Sequence, residues 1–152
     1  MKSLADALAA IALTLWIGGL WAIGYVVAPT LFHTLADRAL AGMLAGKLFT
    51  LIAWVGIGCA AYLLLFRLVR FGGGCFKQGI FWVVLIMLLL TLAGEFGVQP
   101  ILESLKAQAL PKQVMESVLR DRFAAWHGVA SVLYLIQSGL GVLLVWLHAR
   151  SR

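Results

Sequence analysis

Strongly polar side chains are rare within the long apolar stretches of this sequence, and they fall on two helix faces. Thr91, Glu95 and Gln99 stand four residues apart, so on a helix they share one face. His127 begins a second series, in which spacings of four, three and four lead to the remaining members: Ser131, Tyr134 and Ser138. Ionisable groups inside a membrane are costly and usually functional, so these two faces are where chemistry is expected.

Four ionisable residues are expected at the same end of the molecule. If consecutive helices run up and down, His33 ends the first, Lys47 begins the second, Glu95 nears the end of the third and His127 begins the fourth. The sequence therefore predicts a pocket at this end for a ligand or an ion. Gln99, Ser131 and Tyr134 complete its predicted lining.

These residues also have purely structural interpretations. A salt bridge would relieve the cost of burying the charge of Glu95, and three basic residues are candidates for its partner: Lys47, Arg120 and Arg122. His33 would simply be hydrated at the membrane boundary. The second polar face would provide hydrogen bonds between helices.

Haem or metal binding is a further class of chemistry to consider. Axial haem ligands face each other across a bundle core, and only His33 and His127 could do so. A metal site would add Glu95, but the sequence contains no HxxxH, HxxE or CxxC spacing. We therefore expect no cofactor, with haem b or a metal ion on the two histidines as the alternative.

The elements that must position these residues are four apolar blocks. Of the 152 residues, 63% are hydrophobic and only 12% are charged, which is unlike an ordinary water-soluble domain. A helix of about 20 apolar residues crosses roughly 30 Å of hydrocarbon, and four blocks are long enough: residues 4–28, 48–66, 79–98 and 123–148. The sequence predicts a single all-α domain, an integral membrane four-helix up-down bundle.

Proline and aspartate residues predict where these helices begin and end. Pro29 lacks a backbone donor, so the first helix should kink or end there. Asp37 is the predicted N-cap of the second helix. Pro100 suits the first turn of a new helix, and residues 101–121 have the spacing of a short amphipathic helix that lies on the membrane or over the bundle mouth.

Small and aromatic residues predict where helices approach one another. Thr14, Gly18, Trp21 and Tyr25 fall on one stripe of the first span, which is expected to face the other helices. Gly42 and Gly46 in the second helix form a small-xxx-small pair, which is a weaker signal of close helix packing. The complete predicted packing set is Gly18, Gly19, Trp21, Pro29, Phe32, Gly42 and Gly46.

The positive charge of the chain is best explained by membrane topology. The formal net charge is +6, but the basic residues are scattered over loop ends, which argues against nucleic acid as a partner. Lys and Arg counts tie at six on each side of the membrane. Because Arg67, Arg70 and Lys77 crowd one short loop, we expect that loop and both termini to be cytoplasmic.

Four motifs carry a family resemblance: WIGGLWAIGYVVAPTLF from Trp16, AGKLF at residues 45–49, the E..V.P pattern that starts at Glu95, and RFAAWHGVAS around His127. They resemble the transmembrane-protein-205-like family, a largely uncharacterised group of small four-helix membrane proteins of bacteria. The resemblance covers most of the chain and implies fold and location, without an established activity. Five residues match the motif positions of that family: Pro29, Phe32, Gly46, Glu95 and His127.

The GGLW and PTLF segments also resemble, more distantly, the first helices of copper-resistance D proteins and of the haem-carrying membrane protoporphyrinogen oxidase. Those families place a histidine before the Trp-Gly motif. Here that stretch reads LADALAAIALTL and contains none. This departure argues against haem ligation and porphyrinogen oxidation.

These observations favour a non-enzymatic, multi-pass protein of the bacterial inner membrane. It would bind or pass a small ion or solute through its polar pocket, or support a membrane complex. One alternative is a haem- or metal-dependent membrane oxidoreductase. Another is a structural interaction module that forms homo-oligomers or contacts other membrane proteins, with the lipid bilayer as its surroundings.

Overall fold

The computed structural model describes residues 4–109 and 118–150, which form four long helices and contain no strand. We number them α1 (Leu4–Thr34), α2 (Arg38–Phe71), α3 (Gly79–Ala109) and α4 (Arg120–Arg150). A short 3₁₀ helix, Gly72–Lys77, connects α2 to α3. Each long helix is apolar and long enough to cross a membrane. The predicted all-α membrane bundle is therefore confirmed, and the protein is a multi-pass membrane protein.

The helices pack in the order of the chain, and the apolar core lies in the half of the bundle nearer the termini. α2 lies between α1 and α3, and α3 packs against α4, whereas the seam between α1 and α4 is the least closely packed. The largest fully buried side chains of the core are Trp16, Ile17, Met87 and Leu144. The opposite end of the bundle, which we call the mouth, is where polar residues gather.

Interactions at the other end hold the start of α1 beside the connection between α2 and α3. Asp6 forms an ion pair with Arg70 at 3.8 Å, and the hydroxyl of Tyr62 donates a hydrogen bond to the carbonyl of Ala5 at 3.3 Å. Arg67 donates to the side-chain carbonyl of Gln78 at 2.6 Å. The start of α1 and the α2–α3 connection therefore lie at the same end.

α1 does not end at Pro29, and a π-helical turn precedes the proline. α1 continues to Thr34, and its turn Ile23–Val27 is wider than an α-helical turn, with the Ala28 amide bonded to the Ile23 carbonyl five residues earlier. A proline removes one amide donor and crowds the carbonyl four residues before it. Widening the preceding turn accommodates both changes, so the helix proceeds through the proline.

α3 contains the same arrangement at Pro100. The segment Ala93–Val98 is π-helical, and the Gln99 amide bonds to the Gly94 carbonyl. The predicted amphipathic segment forms as Gln99–Ala109, but it continues α3 instead of starting a separate helix at Pro100. Its apolar residues Leu102, Leu105 and Ala109 are buried, and it packs against α4 over the mouth. Residues 110–117 of the predicted amphipathic stretch lie outside the described residues.

Asp37 begins α2 as expected. Its carboxylate accepts hydrogen bonds from the amides of Ala39 at 2.8 Å and Leu40 at 3.1 Å. These amides have no partner inside the helix, so the cap satisfies donors that would otherwise depend on water. The predicted N-cap is confirmed.

The stripe predicted to pack inward from α1 is mostly exposed, and of its four residues only Trp21 is partly buried. Thr14, Gly18 and Tyr25 are exposed on the surface of the bundle, and a Cβ atom built on Gly18 meets nothing within 4 Å. The neighbouring Gly19 makes the close contact, since a Cβ there would lie 2.5 Å from the Cδ1 atom of Ile52. Spacing identified a single face of α1, but not which side of the helix α2 covers.

Candidate functional site

Glu95 lies in the π-helical segment of α3 and is partly buried near the mouth. Thr50 of α2 donates a hydrogen bond from its hydroxyl to Glu95 Oε2 at 3.4 Å. The π-helical segment fits more residues into each turn than an α-helix does, so it rotates the residues that follow it. The carboxylate is therefore held at the widened turn, opposite α2.

Gly46 of α2 has no side chain, and the turns of α3 that follow Glu95 lie close to it. A Cβ atom at this position would lie 3.8 Å from the Gln99 amide nitrogen, and 3.6 Å from both Glu103 Oε1 and Lys106 Nζ. Glu103 and Lys106 form an ion pair at 3.0 Å. We call Thr50, Glu95 and Gln99 the mouth site, which the Glu103–Lys106 pair borders.

The ion pair predicted for Glu95 does not form. Asp6 pairs with Arg70 and Glu103 pairs with Lys106, but no basic side chain of the described residues pairs with Glu95. The three basic residues expected near Glu95 are all exposed: Lys47, Arg120 and Arg122. Exposed cations remain hydrated, whereas a buried ion pair must offset the desolvation of both charges. The Glu95 carboxylate is thus left with the neutral hydroxyl of Thr50.

The two histidines of the predicted pocket are not brought to Glu95. His33 and His127 are both exposed, and the His127 ring stacks on Phe123 with ring centroids 5.8 Å apart. Neither imidazole is buried in the core of the bundle, where a haem with two axial histidines would require them. Within residues 4–109 and 118–150, no three His, Cys, Asp or Glu side chains are grouped closely enough to hold a metal ion.

Tyr134 joins three helices just below the mouth. Its hydroxyl donates a hydrogen bond to the carbonyl of Leu20 in α1. Its ring makes edge contacts with Phe49 of α2 at 5.2 Å and with Tyr25 at 6.1 Å between centroids. Ser131 lies on the exposed side of α4, and its hydroxyl bonds to the His127 carbonyl at 2.9 Å within the same helix. The second polar face is therefore divided between an exposed upper part and a buried lower part.

The remaining residues of the predicted packing set lie around the mouth. Pro29 is exposed beyond the widened turn of α1, and Phe32 is 40% exposed. A Cβ atom at Gly42 would make an ordinary contact of 3.8 Å with the Phe32 ring. Trp21 is partly buried at the seam between α1 and α4.

Sequence reasoning missed Gln137, the most deeply buried amide side chain of the described residues. Gln137 is 5% exposed, and its Nε2 donates to the Met87 carbonyl at 3.1 Å and to the Thr91 hydroxyl at 2.8 Å. Its carbonyl oxygen Oε1 has no hydrogen-bond partner among the described residues. An amide in the middle of an apolar span is itself a signal. The spacing that selected Tyr134 and Ser138 passed over it because it faces α3.

The mouth site thus combines a carboxylate, a hydroxyl and a primary amide at the edge of the hydrophobic span. A family model described as a domain of unknown function, DUF4149, matches residues 11–111. No curated protein and no solved structure matches the chain. The matched range contains every residue of the mouth site, while α4 lies outside it.

Proposed function

We propose that this chain, which belongs to the DUF4149 family, is a membrane protein that binds a small cation at its mouth site. The role is binding, or binding as the first step of passage, and not catalysis. We further propose that the membrane is the bacterial inner membrane and that both termini are cytoplasmic.

The carboxylate of Glu95 is the observation on which this proposal rests. It is partly buried in a membrane helix, and its one hydrogen-bond partner among the described residues is the neutral Thr50 hydroxyl. Removing a charged carboxylate from water without a counter-charge costs several kcal/mol or more. A bound cation supplies that counter-charge, so the site favours a positively charged ligand.

The oxygen chemistry of the site indicates the class of cation. Carboxylate, hydroxyl and amide groups provide oxygen ligands, which hard cations such as alkali and alkaline-earth ions prefer. Sulfur and imidazole, which softer metals prefer, are absent from the three residues of the mouth site. We therefore favour an ion such as Na⁺ or K⁺ over a transition metal.

The interrupted helices provide independent support for a site at this end. α1 and α3 each contain a π-helical segment followed by a proline, at Ile23–Val27 with Pro29 and at Ala93–Val98 with Pro100. π-helical segments often occur at functional sites. Glu95 lies inside one of these two segments.

Cation-dependent thermal stability of the detergent-purified protein tests the proposal. A ligand that binds the folded state raises the unfolding temperature. We expect NaCl or KCl to stabilise the protein more than choline chloride at equal ionic strength. Glu95→Gln should abolish the difference, because it removes the charge with little change in volume.

Asp121→Asn is the matched control, since Asp121 is an exposed carboxylate at the start of α4. This variant should keep the cation-dependent increase in unfolding temperature. No difference between the salts in the unsubstituted protein, or a difference that survives in Glu95→Gln, would overturn the proposal.

A structural interaction module is the second candidate, and exposed glycines favour it. Gly18 and Gly128 lie on the outer surface of α1 and α4, and a Cβ atom at either position meets nothing within 4 Å. Such positions allow the backbone of a partner helix to approach closely. Gly18→Leu and Gly128→Leu should then reduce cross-linking between copies, and unchanged cross-linking in both variants would reject this candidate.

A further inference from the structure

The end of the bundle opposite the mouth carries an excess of positive charge. Basic residues of the described chain gather there: Arg67 and Arg70 near the end of α2, Lys77 in the α2–α3 connection and Arg150 at the end of α4. Asp6 is the one acidic residue that the described ranges place at this end. A single carboxylate cannot neutralise this charge, so this end of the bundle should attract anions.

Arg67 is only partly exposed, yet its polar partner among the described residues is a neutral amide. Its Nη1 atom donates to Gln78 Oε1 at 2.6 Å, and its guanidinium carbon lies 5.6 Å from the centre of the Phe71 ring. The neighbouring Arg70 takes the nearby carboxylate, since it pairs with Asp6 at 3.8 Å. Arg67 therefore holds a partly buried charge that no carboxylate of the described residues balances, which is costly in a membrane protein.

The remaining donors of Arg67 are accessible to a ligand. A guanidinium has five N–H donors, and one nitrogen of Arg67 is bonded to Gln78. Among the described residues that are at least partly buried, the side-chain polar atoms that are both unbonded and covered by protein belong to Gln137 and Ser138. No unbonded nitrogen of Arg67 is therefore covered. Because guanidinium groups bind the paired oxygens of carboxylates and phosphates, an anion of this kind can reach Arg67.

Aromatic side chains around the same end indicate which anion is available there. Phe71, Phe76 and Trp82 are exposed, and the indole of Trp82 donates a hydrogen bond to the Phe76 carbonyl at 2.9 Å. Trp146, near the end of α4, is exposed as well. Exposed aromatic residues of membrane helices concentrate at the depth of the lipid headgroups. The phosphate groups of phospholipids should therefore lie near the level of Arg67.

We propose that Arg67, Arg70 and Lys77, which we call the basic site, bind the phosphate group of an anionic phospholipid such as phosphatidylglycerol. The phosphate oxygens accept hydrogen bonds from the free donors of Arg67. Arg70 lies one turn farther along α2, and Lys77 directly precedes Gln78, the partner of Arg67. These two cations favour a headgroup with a net negative charge and repel the ammonium group of a zwitterionic one. Basic pockets between membrane helices bind anionic headgroups in this way.

Native mass spectrometry of the full chain in detergent tests this proposal. The protein is titrated with phosphatidylglycerol and with phosphatidylcholine of the same acyl chains. We expect the first phosphatidylglycerol to bind about tenfold more tightly than the first phosphatidylcholine, because each nearby basic residue attracts the anionic lipid. Inorganic phosphate at the same concentration should not displace phosphatidylglycerol, since it lacks the acyl chains. Displacement would overturn the lipid assignment in favour of a site for free phosphate.

Gln78→Glu is the most informative variant, because it keeps the acceptor for Arg67 at nearly the same size and adds the missing carboxylate. The new ion pair should replace the lipid phosphate, so the preference for phosphatidylglycerol should disappear. The unfolding temperature without added lipid should not fall, which separates loss of the site from loss of the fold. Arg67→Gln should lower the affinity for phosphatidylglycerol about tenfold, as expected when a hydrogen bond between charged groups is lost.

Arg122→Gln is the matched control, since Arg122 is an exposed arginine at the mouth end of α4. This variant should keep the preference for phosphatidylglycerol. Equal affinities for the two lipids in the unsubstituted protein, or a preference that survives in both Gln78→Glu and Arg67→Gln, would overturn the proposal. A preference that Arg122→Gln reduces as much as Arg67→Gln would also overturn it, because net charge and not the basic site would then select the lipid.

Discussion

The ring of Tyr134 occupies the space that Gly24 leaves open on α1. A Cβ atom on Gly24 would lie 2.6 Å from Cζ of Tyr134, well inside the normal contact distance. The tyrosine hydroxyl donates its hydrogen bond to the Leu20 carbonyl, which lies about one turn before the start of the widened segment at Ile23. This contact joins the first and last helices of a bundle whose α1–α4 seam is otherwise loose.

The effects of substitutions at Gly24 and Tyr134 on the free energy of unfolding should therefore not be additive. Gly24→Ala should destabilise the protein by about 1–3 kcal/mol, because a well-packed contact cannot accept an added methyl group. In a Tyr134→Ala background the same substitution should cost much less, since the ring that it would meet is gone. Unfolding of the purified protein by heat or by SDS measures both values. If Gly24→Ala lowered the free energy of unfolding equally in the two backgrounds, the Tyr134 ring would not be what excludes a side chain at residue 24.

Gly56 and Gly58 on α2 should respond oppositely to alanine. A Cβ atom on Gly56 would lie 2.9 Å from Cδ1 of the buried Trp16, so Gly56→Ala should cost about 1–3 kcal/mol of unfolding free energy. Gly58→Ala meets nothing within 4 Å and should be neutral, or stabilising by up to about 1 kcal/mol through helix propensity. The same unfolding measurement compares them. A Gly56→Ala variant as stable as Gly58→Ala would contradict the observed packing of Trp16.

The loss of the N-cap at Asp37 should destabilise the protein less than the substitutions at Gly24 and Gly56. Asp37→Ala should lower the free energy of unfolding by about 1 kcal/mol, because the amides of Ala39 and Leu40 lose their acceptor. Asp37→Asn keeps an oxygen acceptor and should retain most of the stability. Thermal unfolding of the three proteins in one detergent tests this order, and a larger loss for Asn than for Ala would contradict it.

The proposed topology predicts the behaviour of fusion proteins in a bacterial host. The short connection between α2 and α3 carries Lys77 and follows Arg67 and Arg70, and positively charged loops of this kind are retained in the cytoplasm. Green fluorescent protein fused after residue 152 should therefore fluoresce, and alkaline phosphatase fused there should be inactive. Active phosphatase in that fusion would reverse the assigned orientation.

Part of the candidate site could be predicted from spacing alone. Glu95 and Gln99 were identified because few strongly polar residues interrupt the apolar blocks, and both lie near Gly46 or Thr50 at the mouth. His127 was identified by the same reasoning, yet it is exposed and stacks on Phe123. Spacing shows which residues share a face of a helix, but the rotation of that helix about its axis depends on its neighbours.

The π-helical turns account for another difference between the sequence predictions and the structure, which concerns where α1 and α3 end. A proline in a sequence predicts a missing hydrogen bond, and the expected response was a kink or an end at Pro29 and a new helix at Pro100. Neither helix ends at its proline, because each has a π-helical segment before the proline and continues beyond it. The choice between ending and widening depends on whether packing farther along the helix, such as the burial of Leu102 and Leu105, offsets the less favourable turn.

The sequence by itself determined that this chain forms four membrane helices, where α2 begins, and which rare polar groups lie within the apolar blocks. These properties follow from local chemistry: apolar length, backbone hydrogen bonding in lipid and a carboxylate that caps free amides. Only the tertiary structure decided that Gly19 and not Gly18 contacts α2, that Thr50 is the hydrogen-bond partner of Glu95, and that Gln78 is the hydrogen-bond partner of Arg67. Those outcomes depend on how helices rotate and approach one another, and that is set by contacts between residues far apart in the chain.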